Sequence, residues 1–231
     1  MSDIEKSLNK RRLQEFYEYF NMYYGAKFRP NQGLDELTDM ICKFSVEGSW
    51  VDLGGGTSTF LWLPAFKRIT KVLSIDKYKE AFIVQEENRF MLPRGCYLHS
   101  LERYNKVNDD LQSIEISFMQ ADLFSDFHAC RRYDNVSQFG LLGLCGSADE
   151  YVYHLERMTQ FMHCDSVFLG ANWIFSGRYA ESRGFSNSYL STMLIEKYAT
   201  ITGKALLFVD DIEIVDDPNY TNVILYAFRH K

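Results

Sequence analysis

A short apolar run that ends in three glycines constrains the fold of this chain more than any other feature. The run is Trp50-Val51-Asp52-Leu53, and Gly54-Gly55-Gly56 follows it directly. A short apolar run before a turn signal is typical of a buried strand. Glycine has no Cβ, so it adopts positive φ and lets a ligand approach the backbone closely. The segment therefore predicts a buried strand that enters a tight turn, with a helix after it.

Strand-like and helix-like segments alternate along most of the chain. We expect strands at residues 50–53, 71–76, 114–119, 135–142, 166–171, 206–215 and 222–228. We expect helices at residues 8–24, 34–44, 58–66, 149–162 and 188–200, in a stretch ending at residue 89, and in part of an insertion at residues 90–113. This alternation predicts an α/β fold with a mostly parallel sheet and right-handed crossovers.

The two last predicted strands are joined by the turn signal Asp216-Asp217-Pro218-Asn219. This connection is too short for a helical crossover, so we expect an antiparallel hairpin at the end of the sheet. The sheet should then contain about seven strands with helices on both faces, as in doubly wound folds. With 231 residues, the chain has the length of one large α/β domain, which we expect to span residues 1–231.

Charge, cysteine usage and hydropathy exclude several classes of protein. The net charge of −6 argues against a nucleic-acid partner, because an acidic chain repels phosphate backbones. No apolar run approaches the roughly 20 residues that cross a bilayer, and residues 1–12 lack the apolar segment of a signal peptide. We therefore expect a cytoplasmic protein without a membrane partner. The cysteines show no C-x-x-C spacing and predict reduced, buried thiols without a metal site; they are Cys42, Cys96, Cys130, Cys145 and Cys164.

The residues around the glycine turn indicate the kind of ligand that it binds. Dinucleotide-binding turns carry a third glycine three residues after the second, but here that position is Thr59. An acid, Asp52, lies two residues before Gly54. A carboxylate there favours a ligand with an ammonium group over one with a pyrophosphate. S-adenosylmethionine has an amino-acid part and a sulfonium, and it has no phosphate.

Two further acids follow the next strands. Asp76 ends the second predicted strand, and a carboxylate there can accept hydrogen bonds from both ribose hydroxyls. Asp122 follows the third predicted strand, where a carboxylate can accept from an adenine amino group. Asp76 supports an adenosine ligand without choosing between S-adenosylmethionine and NAD, so an NAD-dependent oxidoreductase stays an alternative at this point.

These residues resemble a known family of enzymes. The segment Asp52–Ser58 looks like the D-h-G-x-G-P-[ST] motif of the nicotinamide, phenylethanolamine and indolethylamine N-methyltransferases. The segment Tyr19–Tyr24 is similar to the Y-h-x-x-Y-Y sequence that this family carries in an N-terminal lid helix. By motif, the resemblance covers residues 16–123. It implies a class I methyltransferase fold, with a helical lid at residues 1–48 and a Rossmann-like core at residues 49–231.

The resemblance also implies S-adenosylmethionine as the cofactor and assigns residues to it. Tyr24 would bond the cofactor carboxylate, and Gly54 and Gly56 would approach the amino-acid end. Asp76 would hold the ribose, and Asp122 with Leu123 would hold the adenine. Tyr19 would lie over both cofactor and substrate. The aromatic residues of the lid can also be explained as ordinary packing against a core.

Several departures from the family leave the acceptor open. The proline and tyrosine of the family motif are Thr57 and Phe60 here, and no acid follows the fifth predicted strand. Asn172 is at that position and could bond a substrate. Tyr179 lies in the aromatic segment 173–188, which is either a mobile substrate loop or an ordinary connection.

We therefore expect methyl transfer to a small molecule, with an amine or nitrogen heterocycle as the acceptor. An unprotonated amine needs no catalytic residue, because proximity and alignment supply most of the acceleration. One alternative is an O- or C-methyltransferase of a natural-product pathway, which would need a base such as His128 or His154. Another is a catalytically silent module that binds the cofactor. The sequence assigns neither a catalytic residue nor an oligomeric state.

Overall fold

One mixed sheet of seven strands forms the centre of the computed structural model, which describes residues 3–125, 127–129 and 131–231, with side chains from residue 8 onward. The strand order is β3-β2-β1-β4-β5-β7-β6. The strands are Gly48–Leu53 (β1), Ile69–Asp76 (β2), Ile116–Gln120 (β3), Tyr133–Phe139 (β4), Met162–Phe175 (β5), Lys204–Glu213 (β6) and Tyr220–His230 (β7).

The direction of the strands confirms the predicted fold class. Strands β1 to β5 pair in parallel, and β7 is antiparallel to both β5 and β6. The strand order reverses direction between the neighbouring strands β1 and β4, so the switch point of the sheet lies between them. In open α/β sheets, ligands bind outside the carboxyl ends of the strands at such a point.

Nine helices occur in the described residues. They are Asp3–Phe20 (α1), Leu34–Phe44 (α2), Thr59–Trp62 (α3), Lys79–Arg89 (α4), Gly95–Arg103 (α5), Asn108–Gln112 (α6), Ala148–Met158 (α7), Gly177–Arg183 (α8) and Thr192–Ile201 (α9). A π-helical turn, Asn21–Gly25, continues α1, and single 3₁₀ turns occupy Leu63–Ala65, Leu141–Leu144 and Thr159–Phe161.

The core lies on both faces of the sheet, as the alternation of side chains along β1 requires. Trp50 packs into the cluster that contains Leu37 of α2, and Val51 packs into the opposite cluster with Leu155 of α7. All four side chains are fully buried. Helices therefore cover both faces, as predicted. Of the cysteines, Cys96 and Cys145 are buried, Cys42 and Cys164 are exposed, and Cys130 lies outside the described residues.

The structure corrects the predicted end of β5 and the predicted loop at residues 173–188. β5 runs to Phe175, four residues past the predicted end at Ala171, because pairing with β7 continues until Phe175 faces Tyr220. The segment 173–188, expected to be a loop, contains α8. Its start is capped by Ser176, which accepts from the Tyr179 N–H, and Gly184 ends it at φ +75°.

The lid helix also differs from its prediction. The regular helix ends at Phe20, and the segment Asn21–Gly25 forms a π-helical turn. Such turns are rare and occur often at functional sites. Among the described residues, no helix combines the length and the apolar composition that a membrane crossing needs.

Candidate functional site

A cavity of about 640 Å³ lies at the carboxyl ends of the parallel strands. Each of the first four strands in the chain contributes a residue that ends or directly follows it, namely Gly54, Asp76, Ala121 and Gly140. The volume lies within the roughly 300–1,000 Å³ of most small-molecule sites. The cavity thus occupies the position that the sheet topology predicts.

The glycine turn forms the floor of this cavity. Gly54 and Gly56 have φ of +75° and +53°, which L side chains rarely adopt. The N–H of Gly54 donates to the carbonyl oxygen of Ile75 at 2.8 Å and so ties the turn to β2. A Cβ on Gly54 would lie 2.7 Å from the Cβ of Leu141, which lines the opposite wall. Glycine at this position therefore keeps the floor open.

Asp52 supports the turn from below and does not line the cavity. Its carboxylate accepts hydrogen bonds from the hydroxyls of Thr59 at 2.8 Å and Ser137 at 2.7 Å. Burial raises the pKa of Asp52 to about 6, and these two bonds act in the opposite direction. Thr59 is also hydrogen-bonded to Ser74 at 2.9 Å. Thr59 at the position of a third glycine therefore joins the turn to two strands.

Asp76 faces the cavity from the end of β2. Its Oδ1 accepts the N–H of Tyr78 at 2.9 Å, and its Oδ2 accepts the N–H of Gly56 at 3.1 Å. Burial raises the pKa of this carboxyl group, and the backbone bonds oppose that shift. Each carboxylate oxygen has two lone pairs, so both can accept a further hydrogen bond from a ligand. Gly56 does not line the cavity, and it contributes through this bond to Asp76.

Asp122 lies beyond β3 in an ion pair that also lines the cavity. Its Oδ2 is 2.7 Å from the Nζ of Lys77, and its Oδ1 accepts the N–H of Phe124 at 3.1 Å. The bond from Lys77 lowers the pKa of Asp122. Leu123 and Tyr78 line the same end of the cavity. This end therefore combines a fixed carboxylate with apolar and aromatic surface, which suits a flat base.

Aromatic side chains from three parts of the chain form the other end of the cavity. Tyr19 lies 4.8 Å from Tyr23 between ring centroids, and Tyr23 lies 6.0 Å from Tyr220 of β7. Tyr220 in turn lies 5.6 Å from Tyr179 of α8. We call Tyr19, Tyr23, Tyr24, Tyr179 and Tyr220 the tyrosine cluster.

The hydroxyls of Tyr19, Tyr24 and Tyr220 are held in their neutral form. The hydroxyls of Tyr19 and Tyr24 lie close enough to shift each other's pKa. Tyr19 is 42% exposed, but desolvation of its hydroxyl raises its pKa to about 12, and burial raises the pKa of Tyr24 well above its usual value. Burial likewise raises the pKa of Tyr220. At neutral pH these hydroxyls therefore donate hydrogen bonds and do not serve as bases.

Two buried amides hold the wall that follows β4 and β5. Gln138 accepts the N–H of Leu142 at 3.1 Å, which fixes the turn after β4. Asn187 accepts the N–H of Phe175 at 2.8 Å and donates to the carbonyl oxygens of Trp173 at 2.8 Å and Gly143 at 3.1 Å. The segment after α8 is thereby tied to both strand ends, and the position of α8 against the cavity is set.

Most of the predicted site residues meet in the cavity, and three do not line it. Those that line it are Tyr19, Tyr24, Gly54, Asp76, Asp122, Leu123 and Tyr179. Asp52 and Gly56 lie in the hydrogen-bond network of the turn. Asn172 is fully buried. Its amide donates a hydrogen bond to the hydroxyl of Tyr151 at 2.9 Å and accepts one from Gln138 at 3.2 Å. Its amide has these partners inside the protein, so it is not at the cavity surface.

Sequence reasoning missed other lining residues. Tyr220 begins the last strand, and no local motif distinguishes it. Arg29 and Gln32 lie in the connection between the π-helical turn and α2, which carries no recognised pattern. Lys77 and Tyr78 follow Asp76 directly, and their position after a strand end could have indicated them. Gly140 and Leu141 could have been found in the same way.

The histidines considered as possible bases, and the cluster of possible metal ligands, do not line the cavity. Neither His128 nor His154 is among the described residues that line the cavity. At the opposite end of the sheet, side-chain atoms of His163, Cys164 and Asp165 lie within 4.8 Å of one another. Both ring nitrogens of His163 have partners there, Asp134 at 3.1 Å and the N–H of Asp165 at 3.2 Å. The absence of a resident metal stays a prediction.

The residues at the floor fit an amino-acid-bearing adenosine ligand. Gly54 lines the cavity at φ +75° and has no side chain, so a ligand can approach the turn there. Asp76 has free lone pairs on both oxygens at a strand end. The cavity has apolar walls beyond Asp122. The glycine turn, the Asp76 carboxylate and these apolar walls agree with the predicted cofactor.

Comparisons with known proteins support the architecture. Comparison with protein-family models found no match, and comparison with curated protein sequences found none. Among solved structures, the chain is similar to DhpI in a DhpI-SAM-HEP complex, with 16% identity, a TM-score of 0.56, and coverage of 98% of this chain and 96% of that chain.

Two further structures show the same likeness. The N-methyltransferase NodS from Bradyrhizobium japonicum WM9, in complex with S-adenosyl-L-homocysteine, has 9% identity, a TM-score of 0.57 and 85% coverage of both chains. A S-adenosylmethionine-dependent methyltransferase from Clostridium acetobutylicum ATCC 824 has 13% identity, a TM-score of 0.55, and coverage of 94% of this chain and 98% of that chain. At these identities the likeness establishes the fold, and this chain therefore has the Rossmann-like fold of S-adenosylmethionine-dependent methyltransferases.

Proposed function

We propose that this chain binds S-adenosylmethionine and transfers its methyl group to a small-molecule acceptor. The observation that carries the proposal is a single cavity with two chemically different ends. At one end Gly54, Asp76 and Asp122 follow three different strands. At the other end lies the tyrosine cluster. The first end suits an amino-acid-bearing nucleoside, and the second suits an apolar or planar acceptor.

The proposed mechanism depends on alignment. When bound, S-adenosylmethionine supplies a methyl group on a sulfonium sulfur, which becomes a neutral thioether when the acceptor attacks. Asp76 would hold the ribose, and the turn at Gly54 would fix the amino-acid end. The rings of Tyr19 and Tyr24 would attract positive charge and exclude water. Correct alignment alone supplies about 7–11 kcal/mol in well-oriented reactions.

The groups that line the cavity favour an acceptor that needs no deprotonation. No histidine is among the described lining residues, and the shifted tyrosines keep their protons. Asp76 and Asp122 lie at the cofactor end. An amine in its free-base form, or a ring nitrogen, already has a lone pair. We therefore propose nitrogen as the attacking atom, whereas a phenol or carbon acceptor would require a base.

Two comparisons and one resemblance support this assignment. NodS is described as an N-methyltransferase, and DhpI and NodS were solved with SAM and S-adenosyl-L-homocysteine, respectively. The motif at Asp52–Ser58 and the lid sequence at Tyr19–Tyr24 resemble the nicotinamide, phenylethanolamine and indolethylamine N-methyltransferases. Membership of that family is a proposal that rests on these motifs. A cytoplasmic location and the lack of a nucleic-acid partner stay predictions of the sequence.

Isothermal titration tests the proposal directly. We expect S-adenosylmethionine and S-adenosyl-L-homocysteine to bind, and Asp76→Ala to weaken both. Losing the hydrogen bonds to a charged group weakens binding by about 2 kcal/mol, which raises Kd roughly 30-fold. The control is Asp165→Ala, an exposed acid at the opposite end of the sheet. If the wild-type protein binds neither ligand, the proposed function is wrong.

A methyl-transfer screen then tests the acceptor class. Amines, indoles and phenols would be incubated with the protein and S-adenosylmethionine, and products would be identified by mass spectrometry. Methylated amines or ring nitrogens are the expected products. Methylated phenols alone would instead support the O-methyltransferase alternative. Tight cofactor binding with no transfer to any of the compounds would support a silent binding module.

A further inference from the structure

The charged groups around the cavity are distributed unevenly between its two ends. Lys77 is neutralised by Asp122 at 2.7 Å, and Asp76 lies at the glycine turn. The remaining charged lining residues are Arg29 and Arg183. Within the part of the chain that the structure describes, no carboxylate lies within 4.0 Å of either guanidinium. A chain with a net charge of −6 therefore has two unneutralised cations at its main cavity.

Arg183 lies beside the tyrosine cluster. Its guanidinium carbon is 6.0 Å from the centroid of the Tyr179 ring, and both residues belong to α8. The Tyr179 ring contacts Phe175 at 5.1 Å and Tyr220 at 5.6 Å between centroids. Because Asn187 fixes Phe175 through its backbone, this wall is held in place. Arg183 is thus placed at the end of the cavity that we assign to the acceptor.

Asp217 is an acid whose charge acts on the tyrosine cluster, but it does not line the cavity. Its Oδ1 accepts the N–H groups of Asn219 at 2.8 Å and Tyr220 at 3.1 Å. Its Oδ2 is buried without a hydrogen-bond partner and its charge acts on Tyr19 and Tyr23. Asp217 would favour a cation behind the rings. The two arginines favour an anion in the cavity itself, with the tyrosine hydroxyls as further donors.

We propose that the methyl acceptor carries an acidic group, a carboxylate or a phosphonate-like anion, which Arg183 binds at the tyrosine end of the cavity, with Arg29 as the second cation that lines the cavity. A guanidinium presents a planar set of donors that matches such oxygens in a bidentate geometry. The proposal rests on the proposed function, since it names the class of acceptor for that site. It also places the anion away from Asp76 and Asp122, where it would be repelled.

Ligand-observed NMR on the full chain tests this proposal without requiring turnover. The probes are benzoate, phenylphosphonate, benzamide and benzylamine, each in the presence of S-adenosyl-L-homocysteine. We expect the two anions to bind at least tenfold more tightly than benzamide. Benzoate and phenylphosphonate distinguish the two kinds of acid. Equal binding of benzamide, preferred binding of benzylamine, or no binding of either anion would overturn the proposal.

Variants of Arg183 in α8, and of Arg29 between the π-helical turn and α2, locate the anion. Arg183→Gln and Arg29→Gln should each weaken the preferred anion at least fivefold, and Arg178→Gln should leave it within twofold. Arg178 is a matched control, because it lies on the same helix but does not line the cavity. Unchanged anion binding in Arg183→Gln would overturn the proposal.

Titration of S-adenosyl-L-homocysteine into the same proteins separates this proposal from the proposed function. We expect its Kd to stay within twofold in Arg183→Gln and Arg29→Gln. A large increase in Kd in Arg29→Gln would mean that Arg29 binds the carboxylate of the cofactor, and the assignment of Arg29 would then be wrong. If the wild-type protein fails to bind S-adenosyl-L-homocysteine but still binds the anions, the proposed function fails and the anion site stands.

Discussion

Asp52 and Asp76 lie at the ends of neighbouring strands, yet only Asp76 lines the cavity. Asp52 is 1% exposed, and the hydroxyls of Thr59 and Ser137 occupy both of its oxygens. Asp76 accepts backbone N–H groups and keeps lone pairs for a ligand. The two acids look equivalent in the sequence. Their partners make one a support of the turn and the other a candidate ligand contact.

The buried carboxyl group of Asp52 should make stability depend on pH. Burial raises its pKa from 3.8 to about 6, so the folded state binds this proton more tightly than the unfolded state. The resulting stabilisation is complete below pH 3.8 and is lost as the pH rises through about 6. Relative to Asp52→Asn, the wild-type free energy of unfolding should therefore fall by about 2 kcal/mol between pH 4.5 and 8.

Urea unfolding of both proteins at several pH values measures this difference. Asparagine can keep both hydrogen bonds, because each hydroxyl partner can donate or accept. Asp165→Asn, at an exposed position, should follow the wild type throughout. A difference between wild type and Asp52→Asn that is constant with pH would show that Asp52 titrates normally.

The hydroxyl of Tyr24 gives a second prediction at the scale of one residue. Burial keeps this group protonated, and the resemblance assigns it to the carboxylate of the cofactor. Tyr24→Phe should therefore raise the Kd for S-adenosyl-L-homocysteine roughly tenfold, the usual effect of one bond to a charged group. Tyr151→Phe is the matched control, because Tyr151 is buried in the separate network with Tyr226. Equal effects of both variants would show that packing alone is responsible.

At the scale of elements, the middle glycine of the turn should be the least replaceable. A Cβ on Gly55 would overlap the hydroxyls of Thr59 and Ser74, which belong to the network around Asp52. Gly55→Ala should thus destabilise the protein by about 1–3 kcal/mol, as overpacking does, and should weaken cofactor binding. Gly177→Ala is the control, because no atom lies within 4 Å of its Cβ position. Equal thermal unfolding of the two variants would contradict the role of the network.

Local sequence predicted the parallel half of the fold well. The strand before the glycine turn, the acid at the end of β2 and the helix Leu34–Phe44 depend on patterns within a few residues. The end of β5 does not, because Phe175 becomes a strand residue only by pairing with Tyr220. The helix α8 lay in a segment without clear periodicity, and its cap at Ser176 shows only once the backbone is folded.

At the scale of the whole molecule, the two ends of the cavity differ in how far the sequence determines them. The cofactor end consists of residues that follow consecutive strands, so sheet topology brings Gly54, Asp76 and Asp122 together. The tyrosine cluster joins the lid, α8 and the start of β7, which are far apart in sequence. Tyr23 meets Tyr220, for instance, across nearly the whole chain. No short-range pattern indicates such a contact, so the acceptor end required the structure.

The same arrangement predicts which parts of the molecule a ligand should stabilise. The lid packs on the cavity through aromatic contacts, and residues 8–15 of α1 are exposed or half-buried. A ligand that contacts Tyr19 and Tyr24 must be released before this segment opens locally, so its binding should suppress opening. Hydrogen–deuterium exchange should slow in residues 13–25 and 177–184 when S-adenosyl-L-homocysteine is added. In α9, on the opposite face, exchange should change little, because α9 contacts β6 and β7 and does not line the cavity. Protection that is equal in α9 and in the lid would mean that the ligand stabilises the fold as a whole, and the lid would then not be the element that closes over the cofactor.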